Sequence, residues 1–282
     1  MPSNYYQPPK PAKYNFDPKS KEPYRISRTG IELYVDCPRC FYLDKRLGVA
    51  QPPGYPFTLN SAVDYLLKKE FDAHRAKKSA HPLMKKYHID AVPLEHKNMK
   101  NWRDNFTGVQ YHHKKTKLLI FGAVDDIWVD PKGNLAVVDY KATSSEKATN
   151  LSDAKWPSYF RQMEIYQWLL RHNDFKVSNT GYFVYCNGRK DREAFDGKLE
   201  FEIEIISHDG NDSWVEKTII EAHKCLMSDE IPDSSTDCDY CKYRQATKKI
   251  EYAIRVSEKD STGEDKKSGS ISKQTFEEGK LF

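Results

Sequence analysis

The sequence predicts a mixed α/β unit over residues 25 to about 252, and three patterns carry that expectation. Two apolar, β-rich runs, LLIFGAVDDIWV and LAVVDYK, are separated by the turn residues Pro131-Lys132-Gly133-Asn134. Helical stretches and further strand-like runs alternate around them, the pattern of a central mixed sheet flanked by helices. Two Cys-x-x-Cys pairs, Cys37/Cys40 and Cys238/Cys241, stand near the two ends of the unit.

In chain order, residues 1–24 are rich in Pro, Lys and Tyr without periodicity and are expected to be a disordered tail. A helical stretch from Ile26 to Leu43 carries the first cysteine pair. The next helix runs from Asn60 or Ser61, either of which can cap it, to about Arg75. Residues 81–100 show no clear pattern. One strand is expected from Lys117 to Asp130, then the turn, then a strand ending at Lys141. A helix from Trp156 to His172, strands in TGYFVYCN and LEFEIEII, and an amphipathic helix from Trp214 to Met227 follow. The second cysteine pair closes the unit, and residues 253–282, rich in Lys, Glu, Ser and Gly, are expected to be a second disordered tail.

The 282 residues suffice for one large domain or two small ones. With 30% charged and 38% hydrophobic residues the chain reads as a polar, soluble protein; its net charge of +4 is too small to argue for a polyanionic partner by itself. No apolar run approaches the roughly 18 residues of a membrane span, and the start lacks a signal peptide's apolar core, so no membrane partner and a cytoplasmic location are expected. In a reducing compartment the paired cysteines read as metal or cluster ligands before disulfides.

The chemistry concentrates in the hairpin. If it is symmetric about Lys132, Asp125 faces Asp139 across the strands, with Cβ atoms about 5 Å apart. Alternation puts Asp139 and Lys141 on one face and sends Tyr140 to the other. Facing carboxylates repel, and a divalent cation resolves the repulsion: oxygen ligands select Mg²⁺ or Mn²⁺, which can hold a phosphate and acidify an attacking water. Lys141 can orient that water or neutralise the charge developing at phosphorus. The plain alternative is a solvated strand face with a surface ion pair.

Four motifs carry a family resemblance: Cys37-Pro38-Arg39-Cys40-Phe41-Tyr42-Leu43, Gly122-Ala123-Val124-Asp125, Asp139-Tyr140-Lys141 and Gln162-Met163-Glu164-Ile165-Tyr166. In that order the chain resembles the PD-(D/E)XK nuclease superfamily, and within it the RecB-like and CRISPR-adaptation exonuclease branch, over about residues 27–243. The resemblance implies a restriction-endonuclease-like core and phosphodiester hydrolysis, with DNA the favoured substrate, in repair, recombination or defence. It implies Asp125 and Asp139 as metal ligands, the Tyr140 carbonyl completing the inner shell, and Lys141 as the catalytic lysine. Gln162 and Tyr166, at i and i+4, share a helix face and can reach the same cleft. The competing expectations are a member of the fold that binds nucleic acid without cutting it, and a zinc-stapled interaction module.

The departure lies in the branch's first acidic or histidine position. LNSAVDYLLKKEFDAHR has no His there, and Asp64 occupies the place. Laid out as a helix, Val63, Leu66, Leu67 and Phe71 define an apolar stripe with Glu70 near its centre and Asp64 at its edge. A carboxylate facing the core needs a partner, so Glu70 is the first choice for the third metal ligand and Asp64 the second. His74, on the same stripe, reads more simply as a core histidine.

The four paired cysteines could hold Zn²⁺ or an iron-sulfur cluster, clamping the N- and C-terminal parts together. The resembling branch holds a [4Fe-4S] cluster with one early cysteine and three late ones in a C-x2-C-x5-C pattern. Here Thr247 stands where the third late one would fall, and Cys40 could replace it; two plus two suits zinc equally. Cys186 and Cys225 read as buried small hydrophobes. YHHKKTK, ending at Lys117, could track a phosphate backbone or merely protect a strand edge, and Arg161 reads as a phosphate contact or, more simply, a surface ion pair. The apolar tip Gly279–Phe282 could dock on a protein partner such as a replication clamp.

Overall fold

The computed structural model describes residues 8–54, 58–145, 151, 153 and 155–262. Strand β1 (Arg25–Ser27) leads into helix α1 (Arg28–Asp36), capped by the Ser27 hydroxyl, which accepts from the Gly30 amide at 3.1 Å. Helix α2 (Pro38–Lys45) follows after a single extended residue, Cys37. The single helix expected here is thus a strand and two helices, because the ring of Pro38 disfavours helical backbone at Cys37.

Helix α3 (Thr58–Ala76) and the short α4 (Pro82–Lys86) precede β2 (Val92–Pro93), α5 (Met99–Trp102) and β3 (Val109–His112). The strand expected from Lys117 to Asp130 is two, β4 (Leu119–Gly122) and β5 (Asp126–Val129). Between them the chain passes from one sheet to another, and the Val124 amide donates to the Trp102 carbonyl at 3.0 Å. Strand β6 (Leu135–Thr143), helix α6 (Trp156–Arg171), strands β7 (Thr180–Gly188) and β8 (Phe201–Asp209) and helix α7 (Ser213–Met227) complete this unit, which extends to Thr236.

Two mixed sheets result. The smaller has the order β1-β4-β3, with β1 and β4 parallel; the larger has the order β2-β5-β6-β7-β8, parallel only between β6 and β7. The β6–β7 crossover contains α6, as a parallel pair requires. β5 and β6 pair with Asp126 opposite Val138 and Val129 opposite Leu135, the register of a hairpin symmetric about Lys132.

Alternation along β6 divides the core. Val137 packs with Met163, Leu169 and Phe183 among the residues buried under α6 and α7, whereas Val138 and Tyr140 join Leu67, Phe71, Trp128 and Val184 under α3. Each fully buried Leu, Ile or Phe side chain contributes about 1.5–3 kcal/mol, so this alternation, not strand propensity, fixes which residues of β6 reach α6.

The tails differ from expectation where they are described. Phe16 is buried, edge-on to Tyr24 with ring centres 5.4 Å apart, so aromatic burial ties down part of the N-terminal segment. From Asp237 the chain forms a second unit containing helix α8 (Asp239–Thr262), which continues past residue 252. Its run of Lys, Arg, Glu and Ala favours helix over coil. The tip Gly279–Phe282 lies outside the described residues. Among the described residues no helix is long and apolar enough to cross a membrane.

Candidate active site

Asp139 is fully buried in β6, and α6 reaches it through Gln162, whose Nε2 donates to Asp139 Oδ1 at 2.7 Å and to the Tyr166 hydroxyl at 3.2 Å. Gln162 Oε1 accepts from Lys141 Nζ at 3.2 Å. Lys141 Nζ lies 2.5 Å from Asp139 Oδ2, an ion-pair contact, and 4.5 Å above the centre of the Tyr159 ring. Helix α6 comes this close because Gly122 lacks a side chain: a Cβ there would lie 2.6 Å from Tyr166 Cε1. Burial pushes the Asp139 carboxyl up to about 6; Lys141 opposes this and Asp125 adds to it. Burial alone would lower the Lys141 ammonium, but Asp139 more than offsets it and holds the lysine charged.

Asp125 sits just before β5, at the mouth of a cleft of about 390 Å³ whose walls include Asn60, Asp64, Lys141 and Tyr159. Its Oδ2 accepts from the Tyr140 amide at 2.9 Å, so β6 fixes the carboxylate directly. Its Oδ1 accepts from Lys68 Nζ at 3.1 Å, and Lys68 also donates to Asp64 Oδ2 at 2.8 Å. Burial, with Asp125 close by, raises the Asp64 carboxyl. Burial pulls the Lys68 ammonium down, but Asp125 and Asp64 outweigh that and raise it.

The structure brings Asp125, Asp139, Lys141, Gln162, Tyr166 and Asp64 together and leaves Glu70 out. Glu70 is more than half exposed and pairs with His81 at 2.8 Å. The reason is the rotation of α3. Leu66 is 61% exposed, and the buried positions are Leu67, Phe71 and Arg75. At about 100° per residue this moves the inward arc so that Asp64 falls near its middle and Glu70 about a third of a turn away. His74, beside His81 and half-buried, bonds Ser79.

Sequence reasoning missed Lys68, Arg103 and Asp126. Asp126 is fully buried behind the site, where its Oδ1 takes Arg75 Nη2 at 2.5 Å and the Ile127 amide at 2.7 Å, and its Oδ2 accepts from the Tyr140 hydroxyl at 2.9 Å. Arg103 donates to the Asp125 carbonyl at 2.8 Å and to both Asp72 oxygens at 2.9 Å. Only the doubled acid, Asp125-Asp126, and the i,i+4 spacing of Asp64 and Lys68 hinted at this in the sequence. Arg161 forms an ion pair with Glu32 at 2.5 Å.

The acids fit a hard divalent cation. Asp139 Oδ2 is buried and makes no aligned hydrogen bond. Between Asp64 and Asp125 an ammonium already stands where a positive charge is needed.

The cysteine pairs share one local design. In the first unit Cys37 precedes α2 and Cys40 lies in its first turn; in the second Cys238 precedes α8 and Cys241 lies in its first turn. The carbonyl of the leading cysteine accepts from the amide four residues on at 3.0 Å in both, Phe41 and Lys242. The four cysteines are a set that could hold a metal ion. Burial pushes the Cys186 and Cys225 thiols up to about 11, as inert small hydrophobes require.

A family model for the PD-(D/E)XK nuclease superfamily matches residues 57–246. The chain belongs to this superfamily, whose members are typically metal-dependent nucleases, and its mixed sheets flanked by helices fit the restriction-endonuclease-like fold. Among solved structures, the crystal structure of SSO0001 is similar at 16% identity and a TM-score of 0.36, covering 72% of this chain and 77% of that one. No curated protein matches the chain.

Proposed function

We propose that the chain is a Mg²⁺- or Mn²⁺-dependent deoxyribonuclease, an exonuclease of the RecB-like kind, that hydrolyses phosphodiester bonds in DNA during repair, recombination or defence. The observation that supports it is that Asp125 and Lys141 line one cleft while the buried Asp139 stands directly behind Lys141, 2.5 Å from its amine, with Gln162 bonded to both Asp139 and Lys141. Asp125, Asp139, Asp64 and the Tyr140 carbonyl would hold the cation. When bound, it supplies Lewis-acid polarisation of the phosphate and a lower pKa for the attacking water.

The chain's own groups do the rest. Lys141, kept charged by Asp139, donates to the attacking water or to a phosphoryl oxygen. Gln162 fixes Asp139 and Lys141 relative to each other, and Tyr166, which accepts from Gln162, is a positioning residue. Each Cys-x-x-Cys pair offers two of the four thiolates that a structural centre, Zn²⁺ or a [4Fe-4S] cluster, requires.

Labelled single- and double-stranded DNA and RNA, incubated with Mg²⁺ or Mn²⁺, test this. Cutting of DNA that EDTA stops, and that Asp139→Asn and Lys141→Met each slow by about 100-fold or more, is the expected outcome. Binding without cutting would leave a nucleic-acid-binding member of the fold; neither would leave an interaction module.

A further inference from the structure

Among the described residues, Lys68 alone forms ion pairs with both Asp64 and Asp125. Its amine lies 2.8 Å from one and 3.1 Å from the other, and the two acids belong to different parts of the fold, one on α3 and one just before β5. Without a positive charge between them the carboxylates would repel. An ammonium and a divalent cation drawn to the same oxygens repel each other, so binding of one weakens the hold of the other. Lys68 can leave, because its side chain is 22% exposed, its two partners Asp64 and Asp125 line the cleft, and its stem has four rotatable carbons.

We propose that Lys68 is a placeholder cation. It holds Asp64 and Asp125 in position before metal arrives, is displaced when a divalent cation takes them, and then reaches into the cleft to a phosphate of the bound strand. This rests on the reading of the cleft as a metal-dependent nuclease site. Metal and nucleic acid then favour each other, because the strand gives the freed ammonium a new partner.

The test is Lys68→Met, which keeps the length of the side chain and removes its charge, with Lys68→Arg as the charge-retaining control and circular dichroism to confirm folding. Mn²⁺ binding is measured by calorimetry without nucleic acid. Lys68→Met should bind Mn²⁺ on the order of tenfold more tightly than wild type, the size that two partly exposed ion pairs support, and Lys68→Arg should not. A DNA oligonucleotide in Ca²⁺ should bind Lys68→Met on the order of tenfold more weakly, with no difference in EDTA. Unchanged or weaker Mn²⁺ binding by Lys68→Met overturns the placeholder, and unchanged DNA binding in Ca²⁺ overturns the phosphate contact. If wild type shows no Mn²⁺ binding that Asp125→Asn abolishes, the nuclease reading itself fails, whatever Lys68 does.

Discussion

Asp125 and Asp126 are the same side chain one position apart, and the start of β5 between them sends them to different surroundings. Asp125 opens on the cleft; Asp126 is enclosed with Arg75, Arg103 and the Tyr140 hydroxyl. Removing one partner of a buried ionic group leaves the others uncompensated, so Asp126→Ala should cost about 3–5 kcal/mol in urea unfolding; a loss below about 1 kcal/mol would refute this account of Asp126. The buried Asp139 makes a prediction about pH. Its carboxyl stands at about 6 in the folded chain against an ordinary 3.8. Below 3.8 both folded and unfolded chains keep the proton; as pH rises from there to about 6 the unfolded chain releases it first, so the metal-free protein loses stability across that window. A cation that binds the ionised carboxylate offsets the loss. Mg²⁺ or Mn²⁺ should therefore raise the Tm more at about pH 7.5 than at about pH 5, relative to EDTA. Equal shifts at both values would show that Asp139 does not ligate the metal.

At the scale of elements, what the sequence disclosed was what local periodicity controls. The hairpin register follows from a four-residue turn, and with it the placing of Asp139 and Lys141 on the α6 side and Tyr140 on the other. The rotation of α3 was hidden, because Leu66 looks like a core residue and is exposed; which leucine is buried depends on the sheet beneath the helix, not on the helix itself. The break between β4 and β5 was hidden too, since a change of sheet leaves no mark on apolar composition. Helix α6 was legible in extent, but the role of Glu164 within its motif was not. That carboxylate accepts from Trp214 Nε1 at 2.6 Å and the Asn211 amide at 3.1 Å, and pairs with His208 at 3.1 Å, tying α6 to the corner between β8 and α7. Burial alone would raise it, but these partners hold it below 4.5. Its stabilising contribution is therefore present above 4.5 and lost as pH falls through the folded value. Glu164→Gln should lose on the order of 1–3 kcal/mol at neutral pH, and its unfolding curve should approach that of wild type under acid. A gap that stays constant into acid would mean that charge is not what Glu164 contributes.

For the molecule as a whole the open link is the cysteines, and ligand number makes it testable. Each Cys-x-x-Cys offers two thiolates, whereas tetrahedral zinc and a four-iron cluster each need four. The shared backbone pattern at Cys37 and Cys238, a leading cysteine just outside a helix and its partner one turn in, gives each unit half of such a set. If the halves serve one centre, losing either should empty it. Purified wild type should then carry about one zinc or about four irons per chain, read by plasma mass spectrometry, with a visible absorption band near 400 nm or so only in the iron case. Cys37→Ser and Cys238→Ser should each lose that metal and lower the Tm by a similar amount, about 5 °C or more for a chain of this size. Cys186→Ser and Cys225→Ser should keep it, since both thiols are held protonated by burial. Full metal content in Cys238→Ser would separate the two pairs and leave the second unit without a ligand role. The same measurement on Asp139→Asn completes the logic, because a structural thiolate centre should survive the loss of the cleft's own acid.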